Sequence, residues 1–111
     1  MQLSYAIKFV SNMDEAVAFY RDRLRLEVKF ASPFWSEFVT GETTLALHPA
    51  SDENPAGGVE LGFATDDLGA LYARREELGI HFTREPHEEH GTHIARIRDG
   101  DGGDISVSGP V

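Results

Sequence analysis

Three histidines stand at three-residue steps late in the chain, at His87, His90 and His93 in the segment PHEEHGTHIARI. Imidazole is a common ligand of zinc, copper and nickel, so this run invites a metal site. The spacing differs from His-Glu-x-x-His, in which the second histidine follows the first by four positions on one helical face. The segment is instead typical of a loop that leads into a strand. We therefore expect an edge of a pocket here, with His93 pointing into it.

Glu60 is the carboxylate best placed for chemistry. It opens a predicted strand, VELGFAT, and strand alternation puts Glu60 on one face with Gly62 and Ala64. Leu61 and Phe63 then face a helix. The two small residues leave volume beside Glu60, and a carboxylate that faces an apolar cavity suits a general base or an anchor for a cationic ligand. The pattern leaves open the alternative of a partly solvated acid at a strand end.

Aromatic residues supply a second kind of candidate. Tyr5 lies on the equivalent face of the first strand with Ile7 and Phe9, and its hydroxyl could serve Glu60 or a ligand. We expect Ile7 and Phe9 to fill the core. Trp35, in SPFWSEF, is the only tryptophan and could stack on a planar ligand at a pocket mouth. Its alternative role is to fill the core or a dimer interface.

Several chemistries are excluded by what the chain lacks. Without cysteine there is no disulfide, thiolate nucleophile or Cys-ligated zinc. No Gly-x-Ser-x-Gly is present, and neither Ser106 nor Ser108 has His and Asp in a recognisable order. The glycine-rich DGDGG lies between predicted strands and lacks the helix and lysine of a phosphate-binding loop.

The charge limits the partners. The net charge is −9, so nucleic acid and anionic membrane surfaces should be repelled. No apolar run approaches membrane-spanning length, and the first residues do not resemble a signal peptide. We expect a cytoplasmic protein.

The elements that position these residues form a repeat. Residues 4–30 and 59–83 both read as strand, turn, helix and strand, so that Tyr5 matches Glu60 and Met13 matches Leu68. Two copies of one unit must bury their apolar faces together. At 111 residues the chain has room for one domain, with a first βαβββ module at 1–48, a linker at 49–58 and a second module at 59–111.

Capping signals bound the two helices. Asn12 should cap the first helix and Asp66 or Asp67 the second. Gly79 should end the second helix in left-handed geometry, and the matching Arg25 should share that geometry at some cost. The apolar helical stripes are Met13, Ala16, Val17, Tyr20 and Leu24 in the first copy, and Leu68, Leu71, Tyr72 and Leu78 in the second.

Further strands should lie near residues 26–30, 35–40, 43–48, 80–83, 93–98 and 104–108. Turns at Gly41–Glu42 and at Asp99–Gly103 should join neighbouring strands.

The chain resembles the vicinal oxygen chelate superfamily, which includes glyoxalase I, bleomycin resistance proteins and extradiol dioxygenases. The resemblance rests on AVAFYRDRLRLEV, on DDLGALYARREELGI and on RDGDGGDISV, which is similar to the family's Asp-Pro-Asp-Gly-Asn turn and last strand. It implies an α+β fold of two βαβββ modules whose curved mixed sheet surrounds a cavity, commonly within a dimer.

The resemblance also implies four metal-ligand positions, which fall on Tyr5, Ala46, Glu60 and Ser106. Ala46 has no donor atom, while a phenol and a serine hydroxyl are poor ligands at neutral pH. His48 lies two residues beyond Ala46 on the same strand face and could supply a second good ligand with Glu60. Two good ligands are fewer than a catalytic zinc site uses. We therefore expect no tightly bound cofactor, and a divalent metal only as the less favoured alternative.

The sequence thus predicts a homodimeric protein that binds or sequesters a small organic molecule in a degenerate site lined by Tyr5, Trp35, His48, Glu60, His93 and Ser106. One alternative is a divalent-metal-dependent lyase or dioxygenase that uses His48 and Glu60. A ferredoxin-like barrel dimer, with one strand fewer per copy, and a purely structural interaction module are the other possibilities. Whether a reaction is catalysed stays open at this point.

Overall fold

The computed structural model describes residues 1–111, which divide into two compact units. The N-terminal unit comprises residues 4–60, and the C-terminal unit comprises residues 1–3 and 61–111. The chain runs twice through the order strand, helix, strand, strand, strand. The predicted α+β class with repeated βαβββ modules is confirmed. Because each copy has four strands, the ferredoxin-like alternative is wrong.

The N-terminal unit is a four-stranded sheet with one short helical segment. Its elements are β1 (Gln2–Val10), which begins just before the division at Ser4, α1 (Met13–Ala18), a π-helical turn (Phe19–Arg23), β2 (Glu27–Phe30), β3 (Ser36–Val39) and β4 (Thr44–Pro49). β1 pairs in parallel with β4, β4 pairs antiparallel with β3, and β3 pairs antiparallel with β2. The β2–β3 register shifts between Val28 and Phe30.

The core of the N-terminal unit forms where α1 packs on this sheet. Asn12 caps α1 as predicted, because its Oδ1 accepts a hydrogen bond from the Glu15 N–H at 3.0 Å. Val17, Phe38 and Leu47 are buried together, and the partly buried residues around them are Val10, Met13, Ala16, Tyr20, Leu26, Val28 and Leu45. Four of the five residues predicted for the first apolar stripe therefore join the core.

Leu24 does not follow the predicted stripe and is 52% exposed. The chain changes from α-helix to a π-helical turn at Phe19, and the Leu24 N–H donates to the Phe19 carbonyl five residues earlier, at 3.2 Å. A π turn takes more residues per revolution than an α-helix, so Leu24 leaves the face on which Tyr20 lies. The prediction failed because it assumed one helical period throughout.

The C-terminal unit repeats the arrangement. Its elements are β5 (Val59–Ala64), which begins just before the division, α2 (Leu68–Ala73), α3 (Arg75–Leu78), β6 (Phe82–Glu89), β7 (Thr92–Arg98) and β8 (Asp104–Ser108). β5 pairs in parallel with β8, β8 pairs antiparallel with β7, and β7 pairs antiparallel with β6. No helix in the structure is long and apolar enough to cross a lipid bilayer.

The core of the C-terminal unit lies beneath α2. Asp67 caps α2 through a 2.8 Å hydrogen bond from the Ala70 N–H to its Oδ1. The buried cluster is Leu68, Ala95, Ile97 and Val107, and the partly buried residues packed against it are Phe63, Leu71, Ile80, Phe82 and Ile105. Tyr72 packs edge-on against Phe82, with 4.9 Å between ring centroids.

Two leucines predicted to face the core of this unit are exposed. Leu78 is 43% exposed because the helix is interrupted at Arg74, whose φ of −95° and ψ of 11° break the helical period. Leu61 is 40% exposed, whereas Phe63, two residues later on the same strand, packs against the core. Because α2 has only six residues, it covers Phe63 and leaves Leu61 uncovered.

The segment from Phe82 to Arg98 is a β-hairpin rather than the predicted short strand followed by a loop. Its turn is His90–Gly91, with φ of 52° and 82°, and positive φ at both central residues is typical of a type I′ turn. The β6–β7 register shifts between Phe82 and Arg84 and again between Arg84 and His87. These irregularities remove the alternating pattern by which a strand is recognised in a sequence.

Lys8 lies on the helix side of the first sheet, where a charge is unexpected, and it lines a cleft of about 320 Å³ at the end of β1. The cleft is lined by Lys8, Phe9, Val10, Ser11, Asn12, Glu15, Ala16, Ala56 and Gly57. Lys8 is half-buried, and its alkyl chain can pack beside the apolar residues while the ammonium group reaches water in the cleft.

The left-handed residues that end the helical segments are both confirmed. Gly79 has a φ of 70° and Arg25 a φ of 60°. Glycine adopts this geometry freely, whereas a residue with a Cβ is strained by roughly 1–2 kcal/mol. The first copy is therefore strained at Arg25, whereas the second copy avoids this strain by having Gly79.

We predict that Arg25→Gly stabilises the protein by about 1 kcal/mol, because the left-handed strain exceeds the extra chain entropy that glycine brings to the unfolded state. Gly79→Ala should destabilise it by about the same amount. An added Cβ at Gly79 meets no atom within 4 Å, so that loss would be conformational. Urea unfolding midpoints measure both changes. Arg25→Ala, which keeps the strain, should change little, and a gain as large as that of glycine would contradict the argument.

Candidate functional site

The candidate site lies on the open face of the N-terminal sheet, defined as the face opposite α1. The register pairs Tyr5 with Thr44, Ile7 with Ala46 and Phe9 with His48. It also pairs Ala46 with Glu37 on β3. Residues directly opposite each other in a sheet share a face, so this face carries Tyr5, Ile7, Phe9, Glu37, Thr44, Ala46 and His48. The neighbouring positions on β1 and β4, which alternate with these, supply the core beneath α1.

Four aromatic rings meet on this open face. The Trp35 ring centroid lies 6.0 Å from that of Tyr5 and 6.1 Å from that of His48, with interplanar angles of 65° and 79°. Phe9 meets His48 at 5.7 Å and 72°. These are edge-to-face arrangements, which the quadrupoles of aromatic rings favour. The structure therefore brings together Tyr5, Trp35 and His48, three of the residues that the sequence singles out.

Trp35 is held at both its ring and its backbone. The indole Nε1–H donates a 2.7 Å hydrogen bond to Glu37 Oε2, and Lys29 Nζ lies 3.7 Å from Glu37 Oε1. The Ser32 hydroxyl donates to the Trp35 carbonyl at 2.9 Å and accepts from the Trp35 N–H at 3.1 Å. Trp35 is therefore half-buried and held in a fixed orientation.

Glu37 is the residue of this site that the sequence analysis missed. Its side chain is only 15% exposed, and it stands beside Ala46, the position where the superfamily pattern would place a metal ligand. The signal was present, because Glu37 lies two residues beyond Trp35 and strand alternation puts the two side chains on one face. Glu37 gives the aromatic cluster its negative charge.

His48 is the exposed member of the cluster. Its Nδ1 lies 2.8 Å from the Pro49 carbonyl oxygen, which can only accept a hydrogen bond. The proton of a neutral His48 ring therefore belongs on Nδ1. Nε2 is then the ring nitrogen that offers a lone pair toward a ligand.

Glu60 is buried, with 9% of its surface exposed, so the alternative of a partly solvated acid at a strand end is wrong. It follows Gly58, whose carbonyl accepts a 3.0 Å hydrogen bond from the Phe9 N–H.

The C-terminal unit separates the two remaining predicted site residues. Ser106 pairs with Arg96 and with Gly62, which places these three residues on one face of the sheet. His93 alternates with Ile94 and shares the opposite face with Ala95, a member of the core beneath α2. The structure therefore does not bring His93 to the face of Ser106.

The three late histidines do not form a cluster. His87 pairs with Ile94 and His93 pairs with Glu88, so the two histidines lie on opposite faces of the hairpin, and His90 lies in its turn. His87 Nε2 contacts Glu89 Oε2 at 3.0 Å. Within either unit, no three side chains among His, Cys, Asp and Glu are arranged to hold a metal ion.

Comparison with known proteins identifies the family. Residues 2–107 match the glyoxalase/bleomycin resistance protein/dioxygenase superfamily. The chain belongs to this superfamily. Among curated proteins, no match was found. The match covers both copies of the βαβββ repeat, which is the arrangement that the sequence predicted.

Solved structures of the superfamily fold resemble the chain along almost its whole length. A methylmalonyl-CoA epimerase from Mycobacterium tuberculosis is 18% identical, with a TM-score of 0.78 and coverage of 99% of this chain and 88% of that one. A hypothetical protein from Bacillus halodurans C-125 is 17% identical, with a TM-score of 0.80 and coverage of 99% and 94%. A superfamily member from Vibrio splendidus 12B01 is 17% identical, with a TM-score of 0.72 and coverage of 95% and 96%. At these identities the similarity concerns the fold.

The residues at the superfamily's metal-ligand positions do not fit a divalent cation. Ala46 is fully buried and has no donor atom, and Tyr5 places its ring against Trp35. Ser106 offers only a neutral hydroxyl, so Glu60 is the single strong ligand among the four. His48 could add one nitrogen from the N-terminal open face. Together these positions supply fewer strong donor atoms than the three protein ligands typical of a catalytic zinc site.

We predict that Glu37→Ala loosens Trp35, because the indole Nε1–H loses its acceptor at 2.7 Å. Losing the partner of a charge-assisted hydrogen bond should cost about 1–3 kcal/mol and shift the tryptophan emission to longer wavelength. Glu37→Gln keeps an acceptor oxygen and should retain most of the native emission. An Ala variant with unchanged emission and an unchanged unfolding midpoint would contradict the anchoring role of Glu37.

Proposed function

We propose that the protein binds a small organic molecule with a planar aromatic group on the open face of the N-terminal unit, without a resident metal. The observation that carries this proposal is the fixed Trp35 beside the exposed His48, with 6.1 Å between their rings. Tyr5 and Phe9 extend the same apolar, polarisable surface. Such surfaces favour flat ligands, which can pack against several ring edges and faces at once.

The anchoring of Trp35 favours binding over simple core filling. An indole used only to fill space needs burial, whereas Trp35 is half-buried and is held by hydrogen bonds at its ring nitrogen, its N–H and its carbonyl. Because the ring is already ordered, a ligand would not have to pay the usual entropic cost of immobilising a side chain.

Polar groups at the edge of the aromatic cluster would orient a bound ligand. Neutral His48 offers Nε2 as an acceptor, and Glu37 supplies negative charge beside Ala46. A ligand with a hydrogen-bond donor, or with a cationic group next to its ring, would satisfy both. We infer sequestration rather than catalysis, because this face lacks both a nucleophile with a base and a metal-ligand set.

A homodimer belongs to the same proposal. The N-terminal unit exposes large apolar side chains near its outer strand, among them Phe34 at 78%, Phe30 at 53% and Val39 at 43%. Covering such residues with a second copy would remove apolar surface from water.

We predict that Trp35→Ala weakens binding of planar aromatic ligands by about tenfold or more, which corresponds to the roughly 1–3 kcal/mol that stacking on an aromatic ring contributes. Ligands would be found by thermal shift with a library of aromatic metabolites and measured by titration calorimetry. Trp35→Phe keeps a ring and should lose less affinity. Phe19→Ala, at an exposed aromatic position on the π-helical turn, is the control and should bind as the native protein does. Equal losses for Phe19→Ala and Trp35→Ala would show that Trp35 is not the stacking group.

We predict that freshly purified protein without a histidine tag runs as a metal-free dimer in native mass spectrometry and binds its ligand equally well after EDTA treatment. Elemental analysis of the same sample checks the metal content. Stoichiometric zinc, nickel, manganese or iron that disappears in Glu60→Ala or His48→Ala would instead establish the metal-dependent lyase or dioxygenase. Retention of the metal by both variants would show that other residues hold it.

A further inference from the structure

A line of arginines crosses the sheet of the C-terminal unit. Arg84 on β6 pairs with Arg96 on β7, and Arg96 pairs with Ser106 on β8. Arg98 lies two residues beyond Arg96 and therefore on the same face. This face is opposite to the core beneath α2, because Ala95 and Ile97, which alternate with these arginines, are in that core.

The shape of β6 is responsible for the position of Arg84. The register shifts on both sides of this residue, between Phe82 and Arg84 and between Arg84 and His87. Bulges of this kind redirect individual side chains and are common beside functional sites. Here they set one arginine directly across from another.

Arg84 and Arg96 place like charges directly across from each other, with Asp104 beside Arg96. Like charges directly opposite each other in a sheet are destabilising. The chain as a whole has 19 acidic and 10 basic residues, so acidic partners would have been available for these positions. Three of the ten basic residues nevertheless lie on a single face of one sheet.

Asp104 orients two of the three guanidinium groups. Its carboxylate oxygens lie 3.6 Å from Arg96 Nε and 3.6 Å from Arg98 Nε, and its Oδ2 also accepts a hydrogen bond from Thr83 Oγ1 at 3.3 Å. The Arg98 contact is recorded at Nε, the inner nitrogen of the guanidinium group. Arg84 is exposed and Arg98 is 48% exposed at its side chain.

We propose that this face binds an oxyanion, the phosphate or carboxylate group of a small molecule, between Arg84 and Arg98 with Arg96 behind them. Guanidinium groups bind such anions through paired, charge-assisted hydrogen bonds. The half-buried Ser106 adds a hydroxyl donor on the same face, beside Gly62, which has no side chain to obstruct it. A bound anion would offset the repulsion between the opposed arginines. This proposal rests on residues of the C-terminal unit alone.

The test is a titration of the native protein with inorganic phosphate, and separately with succinate, at constant ionic strength. Nuclear magnetic resonance of the arginine Nε–Hε groups follows each guanidinium. We expect saturable shifts at Arg84 and Arg98 that are absent at Arg21 and Arg74, two exposed arginines paired with Asp22 and Glu77. Tighter binding of phosphate or of succinate would show which oxyanion the site prefers.

Arg84→Gln should weaken binding by about tenfold, as expected for removal of a hydrogen bond to a charged group. Arg74→Gln is the matched control and should bind as the native protein does. Because Arg84 is exposed, its replacement should not disturb the fold, and the backbone amide signals of residues away from position 84 should stay unchanged. Equal, non-saturating shifts at all arginines would mean general ionic screening and would overturn the proposal. Undiminished binding by a folded Arg84→Gln protein would do the same.

Discussion

The parallel pairing of the first and last strands in each copy is the constraint on which the rest of this structure depends. It fixes Tyr5 beside Thr44 and Gly62 beside Ser106. The antiparallel pairing of the other two strands in each copy then follows, and with it the set of side chains that share a face. A slip of one residue would exchange the core face with the open face. The apolar core under each helix and the polar or aromatic surface on the other side are thus two results of one register.

That register gives the two copies different open faces. The N-terminal unit presents rings held against one another, with a carboxylate fixed beside them. The C-terminal unit presents guanidinium groups around a partly buried aspartate. A duplicated fold has therefore acquired two surfaces of distinct chemistry, while two of the positions where the resemblance predicts metal ligands hold Tyr5 and Ala46.

Much of the fold could be predicted from the sequence because it depends on local chemistry. Asn12 and Asp67 cap helices through contacts three residues away, and the left-handed Arg25 followed from its alignment with Gly79. Failures occurred where the backbone changes period. The π-helical turn displaced Leu24, and the register shifts of β6 hid the hairpin around His90.

The site was harder to predict than the fold, because side chains from distant segments build it. Trp35, Tyr5 and His48 are separated in sequence, and only the strand pairing shows that their rings meet. Glu37 was missed because an acidic residue on a short strand is usually a solvent-exposed surface residue. Only its contact with the Trp35 indole distinguishes it. His93 shares a strand face with the core residue Ala95, which alternation in the sequence alone does not reveal.

The shifted registers in the outer strands also limit edge-to-edge pairing between chains. β2 and β6 each lie at one edge of the sheet in their own unit, and both are irregular, at Val28–Phe30 and on either side of Arg84. Pro86 adds a position in β6 that has no N–H to donate. Such edges are poor templates for an incoming strand. Uncontrolled growth of intermolecular sheets through these edges is thereby disfavoured.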